Sequence, residues 1–284
     1  MQVVFYAPDG TGDKLLVAAV MGGAEAHGDE VQYVCAENYR GVVVAADAAA
    51  CYGVRASTRI ILDAYRRAGK KTLYFDKGFV RGNYTRVAVD AWQPQVELQP
   101  DRSDDRLQAS GLQLKPMRRV EEGSVIYAAT TQTWVDFYNL GPARGLDEII
   151  VRLLCAQYPG RVVYRPRPAY AKKHPELCGP IDGARLSDPT IPLVSELEGC
   201  DLLVTLGSNA AVEARAAGVK TLVLSDNPMK WLNGSHDEAL RDKLFRKLAY
   251  CQWTLSEYLS GEAWSELKPL LEKFADLEKK QLCV

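Results

Sequence analysis

Strand-like and helix-like hydrophobic patterns alternate along the first half of the chain. Short runs rich in β-branched and aromatic residues predict strands, and apolar residues at helical spacing predict helices. The predicted strands are 3–6, 31–35, 42–46, 71–75 and 84–89, and the predicted helices are 15–26 and 58–68. Strands that alternate with helices in this way are typical of parallel βαβ units.

The second half repeats this alternation after a polar segment. Residues 100–116 lose hydrophobic periodicity, which predicts a linker. Beyond it, the pattern predicts strands at 124–128, 161–164, 202–204 and 221–224, helices at 146–157 and 193–198, and a largely helical segment at 237–280. The sequence therefore predicts an α/β fold of two Rossmann-like domains, 1–113 and 114–284 with C-terminal helices, which face each other across a cleft.

Composition narrows the class of protein. The 284 residues carry a net charge of −1, so any contact with nucleic acid must come from a local basic patch. Seven cysteines without CxxC spacing, and the lack of a signal-peptide pattern, predict reduced thiols and a cytoplasmic protein. Because no apolar run approaches the roughly 20 residues that cross a bilayer, no membrane partner is expected.

The most informative motif is the segment 201–227, DLLVTLGSNAAVEARAAGVKTLVLSDN. Its first apolar run ends at Gly207, and Ser208 and Asn209 follow as candidate caps of a helix. The N–H groups and the dipole at a helix start favour a bound phosphate. Glu213 is expected about one turn further along this helix, where its carboxylate can bind a ribose. We interpret the segment as half of a nucleotide-sugar site.

Further polar groups follow two other predicted strands of the second half. Arg165 and Arg167 stand in the sequence RPRP, whose prolines hold an extended backbone. The two guanidinium groups are therefore expected to point to opposite sides, so that one can point into the cleft. Guanidinium groups match phosphate oxygens, which predicts diphosphate binding over plain surface charge. Thr130, with Thr131 and Gln132, supplies groups suited either to phosphate contact or to helix capping.

A glycine-containing loop follows the first predicted strand. Asp9, Gly10 and Gly12 are candidates for ligand contact, since glycines permit close backbone approach at the carboxyl end of a sheet. The alternative is an ordinary glycine turn in which Thr11 or Asp13 caps the next helix. The loop has neither the GxGxxG pattern nor a phosphate-binding P-loop.

A carboxylate also follows the fourth predicted strand, at Asp76, with Lys77 and Arg81 nearby. A carboxylate in this position can act as the general base that accepts the proton of an acceptor hydroxyl. Lys77 is expected to keep it ionised. Asp13 and Asp90 are competing candidates for the base, and a solvated ion pair is the alternative interpretation.

Other residue types give no sign of chemistry. The three histidines are far apart and lack metal-ligand spacing, so no metal site is expected. Trp231, Trp253 and Trp264 lie in helical patterns and are expected in the core. The serines lack the GxSxG context, which argues against hydrolysis by acyl transfer.

The segment DLLVTLGSNAAVEARAAGVKTLVL, with RPRP and SVIYAATTQTW, resembles the C-terminal nucleotide-sugar domain of GT-B-fold glycosyltransferases. The resemblance implies that the Ser208–Asn209 helix start holds the diphosphate of a nucleotide sugar, with UDP-sugar as the expected donor. It also implies that Glu213 contacts the ribose, that residues 114–284 bind the donor and that residues 1–113 bind the acceptor. The chain is short for this fold and has no histidine in the N-terminal loop, where several members place a base.

Two further segments, ACYGVRASTRIILDAYRRAGKKTLYFDKGFVRGNYTRVAVDAWQP and LAYCQWTLSEYLSGEAW, resemble bacteriophage glycosyltransferase-like proteins. Some phage enzymes of this fold glucosylate hydroxymethylated pyrimidines in DNA. The resemblance therefore implies double-stranded DNA as a partner and the host cytoplasm as the location. Such an acceptor must be flipped out of the base stack, with Lys77, Arg81 and Arg86 as candidate phosphate contacts.

The leading hypothesis is a metal-independent glycosyltransferase, monomeric or homodimeric, that needs no cofactor besides its nucleotide-sugar co-substrate. Asp76 or Asp13 would accept the proton of the acceptor hydroxyl. Arg165, Arg167 and the helix start would stabilise the leaving diphosphate. The alternatives are a nucleotide-sugar epimerase or hydrolase, and a non-catalytic nucleotide- or nucleic-acid-binding protein of the same fold.

Overall fold

The computed structural model describes the backbone of residues 1–8, 11–80 and 83–281, and their side chains except at 11–13, 98 and 273–281. Within these residues the strands are β1 (Gln2–Ala7), β2 (Glu30–Cys35), β3 (Ala48–Tyr52), β4 (Lys71–Lys77), β5 (Tyr84–Val89), β6 (Ser124–Ala128), β7 (Val162–Arg165), β8 (Arg185–Leu186), β9 (Cys200–Thr205), β10 (Lys220–Val223) and β11 (Gln252–Thr254). The helices are α1 (Thr11–Glu25), α2 (Ala56–Arg67), α3 (Asp105–Ala109), α4 (Gln132–Tyr138), α5 (Ala143–Gln157), α6 (Pro168–Ala171), α7 (Leu193–Leu197), α8 (Ala210–Ala216), α9 (Glu238–Ala249), α10 (Leu255–Leu259) and α11 (Glu262–Gln281).

The chain forms two compact units, each with its own sheet. Unit 1 combines Met1–Leu98 with the segment that starts at Tyr250, and unit 2 is Gln99–Ala249. The sequence interpretation placed the boundary after residue 113 and gave the C-terminal helices to the second half. The difference arises because β11 pairs antiparallel with β5, a contact between distant parts of the sequence. The predicted acceptor and donor roles of the two halves stay predictions.

The sheet of unit 1 has the strand order β11-β5-β4-β3-β1-β2. Strands β1 to β4 run parallel to one another, whereas β5 and β11 are antiparallel to their neighbours. This arrangement confirms the predicted βαβ character of the first half, and it confirms a strand at Tyr84–Val89 near the edge of the sheet.

The central strand β3 is built from alanines for a steric reason. It lies between β1 and β4, and the rings of Phe5 and Phe75 from these flanking strands stack with centroids 5.1 Å apart. Ala48 and Ala50 lie in the same core cluster and are fully buried. Small side chains on β3 therefore leave room for the two rings to meet.

The last helices pack closely on α1 in unit 1. A Cβ atom added at Gly23, near the C-terminal end of α1, would lie 2.0 Å from the carbonyl oxygen of Tyr258 in α10. The ring of His27 is 2.9 Å from the carbonyl oxygen of Gly261, which precedes α11. Trp253 and Trp264 are 1% exposed, as predicted for core residues, whereas Trp231 is 60% exposed, so its prediction as a core residue was wrong. The C-terminal segment is thus an integral part of the unit 1 core.

Unit 2 contains a wholly parallel sheet in the order β10-β9-β6-β7-β8. Its interior includes a polar contact, because the hydroxyls of Tyr127 and Tyr164 donate to the carboxylate of Asp147 at 2.8 and 3.0 Å. Asp147 belongs to α5 and is buried. Both units are mixed α/β layers of the Rossmann type, so the predicted α/β fold with two Rossmann-like domains is confirmed.

One strand prediction was wrong. The valine-rich segment 42–46 forms no strand, and Val42 is 64% exposed in an irregular segment. The strand lies later, in the alanine-rich β3. The segment 237–280 is largely helical, as predicted, with the short strand β11 inside it. The predicted linker contains the short helix α3.

Candidate functional site

The strand order of unit 2 creates a switch point between β6 and β9. From β6 the chain continues to β7 and β8 on one side, and then returns to β9 and β10 on the other side. In open parallel sheets, ligands bind beyond the carboxyl ends of the two strands where the order reverses. The loops after β6 and β9 therefore form the candidate site, which we call the switch-point crevice: residues 129–131 and 206–209.

Thr205 joins the two loops of the switch-point crevice. It is the last residue of β9 and is fully buried. Its hydroxyl donates a 2.8 Å hydrogen bond to the carbonyl oxygen of Ala128 at the end of β6. It also accepts one of 3.2 Å from the backbone N–H of Ser208. One buried hydroxyl thus fixes the distance between the two loops.

Asn227, after β10, holds the same loop from the other side. It is buried, and its side-chain amide donates to the carbonyl oxygens of Gly207 and Ser208 at 3.3 and 3.4 Å. Because the C=O and N–H of a trans peptide point in opposite directions, the 207–208 peptide is held between Asn227 and Thr205. The backbone of the crevice is therefore set by two buried side chains that the sequence interpretation did not select.

The helix start at Ser208 and Asn209 is less open than predicted. Helix α8 has seven residues, and the backbone N–H of Ala210 donates to the Ser208 hydroxyl at 3.2 Å. With the N–H of Ser208 bound to Thr205, two donors that were expected to face a phosphate have internal acceptors. Ser208 and Asn209 remain partly exposed, so packed side chains do not seal the position.

Glu213 lies where the sequence placed it along the helix. Its backbone N–H donates to the carbonyl oxygen of Asn209 at 3.2 Å, which puts it one turn beyond the helix start. Its side chain is partly exposed. The predicted contact with a ribose stays a prediction.

Gly207 is required for packing against a side chain. A Cβ atom at this position would lie 2.7 Å from Cζ2 of Trp134 and 3.2 Å from the carbonyl oxygen of Asp226. The glycine therefore makes room for the indole ring of Trp134, which reaches it from α4. Its predicted role in close approach to a donor stays a prediction.

Of the polar residues after β6, two hold helices in place and one is partly exposed. Thr131 caps α4, because its side chain accepts a hydrogen bond from the backbone N–H of Trp134 at 3.3 Å. Gln132 joins α4 to α5 by accepting from the backbone N–H of Ala143 at 2.8 Å. Thr130 is partly exposed at the rim of the crevice and keeps its predicted donor role as a prediction.

Arg165 is part of a buried ion pair, which corrects its expected role in diphosphate binding. Its guanidinium donates to the Glu196 carboxylate at 2.6 Å, to the Ser187 hydroxyl at 2.7 Å and to the carbonyl oxygen of Ile191 at 2.8 Å. The two charged side chains are 8% and 7% exposed. By contrast, Arg167 is exposed just before α6, so it remains the candidate cation of the RPRP motif.

In unit 1, Asp76 forms an ion pair with Arg86 at 2.8 Å. Its carboxylate also accepts from the Tyr74 hydroxyl at 3.2 Å and from the backbone N–H of Lys77 at 2.8 Å. Arg86 is buried and donates to Gln93 at 2.8 Å. The cationic partner of Asp76 is thus Arg86, not the side chain of Lys77. This burial also corrects the expectation that Arg86 contacts DNA phosphates.

The remaining candidates of unit 1 fall into two groups. Lys77 is exposed at the end of β4, whereas Gly12 and Asp13 lie in the first turn of α1, and the side chain of Asp13 is outside the described residues. Asp9, Gly10 and Arg81 also lie outside the described residues. The competing base Asp90 lies at the other end of β4, near the start of the strand. There its carboxylate accepts a hydrogen bond from the backbone N–H of Thr72 at 2.7 Å.

Asp147 is a buried carboxylate of unit 2 whose pKa departs from its ordinary value. Burial raises its pKa to about 6, while the hydrogen bonds from Tyr127 and Tyr164 and the charge of Arg144 act to lower it. The group lies in the interior between α5 and the sheet, so its titration affects the stability of unit 2 and not the chemistry of the crevice.

The described residues show neither a metal-ligand cluster nor a membrane span. Among the described side chains, no group of three or more His, Cys, Asp or Glu could hold a metal ion. Within the part of the chain that the structure describes, no helix is long and apolar enough to cross a bilayer.

Three residues of the site escaped the sequence interpretation: Trp134, Thr205 and Asn227. Trp134 stood in the quoted segment SVIYAATTQTW, directly after a predicted strand, which is the signal that could have identified it. Asn227 precedes a proline after another strand, a turn pattern. Nothing local distinguishes Thr205 from other strand-end threonines.

The chain is built from two Rossmann-like units, and the second carries the polar switch-point crevice. Two solved structures of KpsC from Thermosulfurimonas dismutans share this fold. The beta Kdo 2,4 transferase aligns with a TM-score of 0.50 and 13% identity over 87% of this chain and 89% of its own. The beta Kdo 2,7 transferase aligns with a TM-score of 0.50 and 10% identity over 93% and 99%.

Other comparisons add little. UDP-GlcNAc 2-epimerase from Methanocaldococcus jannaschii covers 95% of this chain and 100% of its own at 8% identity, but its TM-score of 0.35 is too low to support an argument. No protein-family model matches the sequence. A search of curated proteins also gave no match. The likeness to known proteins is therefore one of fold.

Proposed function

We propose that the protein transfers a sugar from a nucleotide-activated donor to a hydroxyl acceptor. The observation that carries this proposal is the switch-point crevice of unit 2, where partly exposed polar groups follow β6 and β9. The shared fold supports it, since the two aligned structures are named as Kdo transferases. Unit 2 is accordingly the donor-binding part in this proposal.

Ser208, Asn209 and Thr130 would contact the donor phosphates, and Glu213 would bind the ribose. A UDP-sugar is our expected donor. Since Arg165 is committed to Glu196, the only cation of the RPRP motif left for the leaving phosphate is the exposed Arg167. The proposed metal independence rests on that one arginine and on the helix start, so activity should persist in excess EDTA.

The transfer step forms a bond between the acceptor oxygen and the anomeric carbon of the donor. The bond from that carbon to the phosphate oxygen breaks, and its electron pair leaves with the nucleotide. A carboxylate takes the proton of the acceptor hydroxyl, which lowers the barrier by general-base catalysis. Asp13 and Asp76 are our candidates, and the Arg86 ion pair of Asp76 favours Asp13.

Hydroxymethylated pyrimidine in phage DNA is the specific acceptor that our proposal includes. Its support is the resemblance of the N-terminal segments together with the exposed Lys77 and with Arg81. Burial of Arg86 removes one of the expected phosphate contacts. Small hydroxyl acceptors therefore belong in the same assay as DNA.

The test is incubation of the purified protein with labelled nucleotide sugars, with and without acceptors. The panel should include nucleoside diphosphate and nucleoside monophosphate sugars, hydroxymethylpyrimidine DNA, unmodified DNA and oligosaccharides. Label transfer to an acceptor supports the proposal. Turnover that is equal without any acceptor points to an epimerase or hydrolase, and absence of both binding and turnover across the panel refutes a nucleotide-sugar enzyme.

Matched variants sharpen the assay. Glu213→Gln should raise the KM for the donor, because the ribose contact is lost. Glu198→Gln changes an exposed carboxylate at the end of α7 and should leave the KM unchanged. Equal behaviour of the two variants would remove Glu213 from the proposed site.

A further inference from the structure

Trp134 places an indole ring at the switch-point crevice. Helix α4 begins four residues after β6, and the Thr131 cap fixes Trp134 in its first turn through a 3.3 Å hydrogen bond. One edge of the indole occupies the space above Gly207, where a Cβ atom would lie 2.7 Å from it. The ring therefore bridges the two loops of the crevice.

This tryptophan differs in burial from those of the core. Trp253 and Trp264 are 1% exposed, whereas Trp134 is only partly buried. The ring of Tyr138 lies against it with centroids 4.3 Å apart. A second aromatic ring thus supports the indole, which stays partly accessible beside the polar loops.

We propose that Trp134 is the platform on which the nucleobase of the donor stacks. This inference rests on the proposed function and adds to it a residue for base binding. The hydroxyl and amide groups of Thr130, Ser208 and Asn209 suit phosphate and ribose oxygens, whereas a flat indole face suits a flat heterocycle. Base–aromatic stacking tolerates any base, so Trp134 contributes affinity rather than base identity.

The experiment measures nucleotide affinity in tryptophan variants. Wild-type protein is first titrated with UDP, GDP, ADP, TDP and CMP, and the tightest of these is carried forward. Trp134→Ala and Trp134→Leu should bind it roughly 10-fold to 100-fold more weakly, whereas Trp134→Phe should bind within about 3-fold of wild type. Leu keeps apolar bulk above Gly207 but has no aromatic face. Equal affinities of the Leu and Phe variants would overturn the proposal.

A control and a second readout keep the test independent of folding defects. Trp231→Ala removes a 60% exposed tryptophan of the same unit and should leave affinity unchanged. Bound nucleotide should quench wild-type fluorescence, and Trp134→Phe should abolish that quenching. Quenching that persists in Trp134→Phe overturns the platform while leaving the proposed function intact. A wild-type protein that binds none of the five nucleotides overturns both.

Discussion

The indole N–H of Trp264 donates a 2.8 Å hydrogen bond to the carboxylate of Asp29, 235 positions away in sequence. Lys268 lies 3.0 Å from the same carboxylate, which is 1% exposed. Burial alone would raise the pKa of Asp29, but the hydrogen bonds from the terminal amine, Trp264 and Lys268 lower it to about 2. Through these contacts the buried Asp29, which directly precedes β2, binds α11 to the first sheet.

Replacing Trp264 with Phe should lower the free energy of unfolding by about 1–3 kcal/mol, because a buried carboxylate loses a donor. Trp231→Phe, at an exposed position, should change it little. Urea denaturation at neutral pH measures both variants. An equal effect of the two substitutions would contradict the role of the Asp29 contact.

Asp29 also predicts loss of stability in acid. Its folded pKa of about 2 lies below the ordinary value of 3.8, so the folded state binds fewer protons between these values. The contribution, about 2 kcal/mol, is present above pH 4 and is lost as the pH falls toward 2. Asp29→Asn should remove this part of the acid sensitivity in denaturation curves collected between pH 2 and pH 5.

Asp147 predicts the opposite slope in a higher pH range. Its folded pKa of about 6 lies above 3.8, so the folded state binds more protons in between. Stability should therefore fall by about 3 kcal/mol as the pH rises from 4 to 6, and should stay level above that. Asp147→Asn should flatten the curve between pH 4 and pH 6. A slope that survives this substitution would assign the titration to another group.

Substitution of Arg165 should lower stability, whereas substitution of Arg167 should weaken donor binding. Arg165→Ala removes the nearer cation from the buried Glu196, which keeps the Ser187 hydroxyl at 2.9 Å and the exposed Arg185 at 4.0 Å, and should cost about 3 kcal/mol of unfolding free energy. Arg167→Ala should leave stability within about 0.5 kcal/mol and raise the KM for the nucleotide sugar. Thermal unfolding and donor titration distinguish the two outcomes. A stable Arg165→Ala variant with a raised KM would restore the sequence-based role of Arg165.

Substitution of Asn227 tests the backbone of the crevice, and substitution of Asn233 is its matched control. Asn227 holds the carbonyl oxygens of Gly207 and Ser208, whereas Asn233 bonds both the N–H and the C=O of Val223, at 2.8 and 2.9 Å. Each substitution by Ala should reduce stability by about 1–3 kcal/mol. Only Asn227→Ala should also raise the KM for the donor, measured at a temperature where both variants are folded. A raised KM in both would indicate a general loss of structure.

Periodicity was enough to predict the layered fold, because alternating strands and helices are local patterns. It failed at β3, where burial between Phe5 and Phe75 selects alanines that have low intrinsic strand preference. The valines at 42–46 have the preference but lie in an exposed segment. Tertiary packing therefore overrode propensity at this strand.

The candidate site was predictable in position and not in detail. The strand-to-helix turn at Gly207 and Ser208 was visible in sequence, since strand ends and glycines are local signals. The partner of each polar group was not. Arg165 and Glu196 are 31 positions apart, so nothing near RPRP shows that this guanidinium is already neutralised.

The return of the chain to unit 1 has a consequence for synthesis on the ribosome. Unit 2 is continuous and can fold as soon as residue 249 has emerged, whereas the β5 edge waits for β11. At 5–20 residues per second, the N-terminal segment spends roughly 10–30 s with that edge unpaired. Slow codons in the middle of the message would lengthen this interval and should favour pairing of the open β5 edge with another chain.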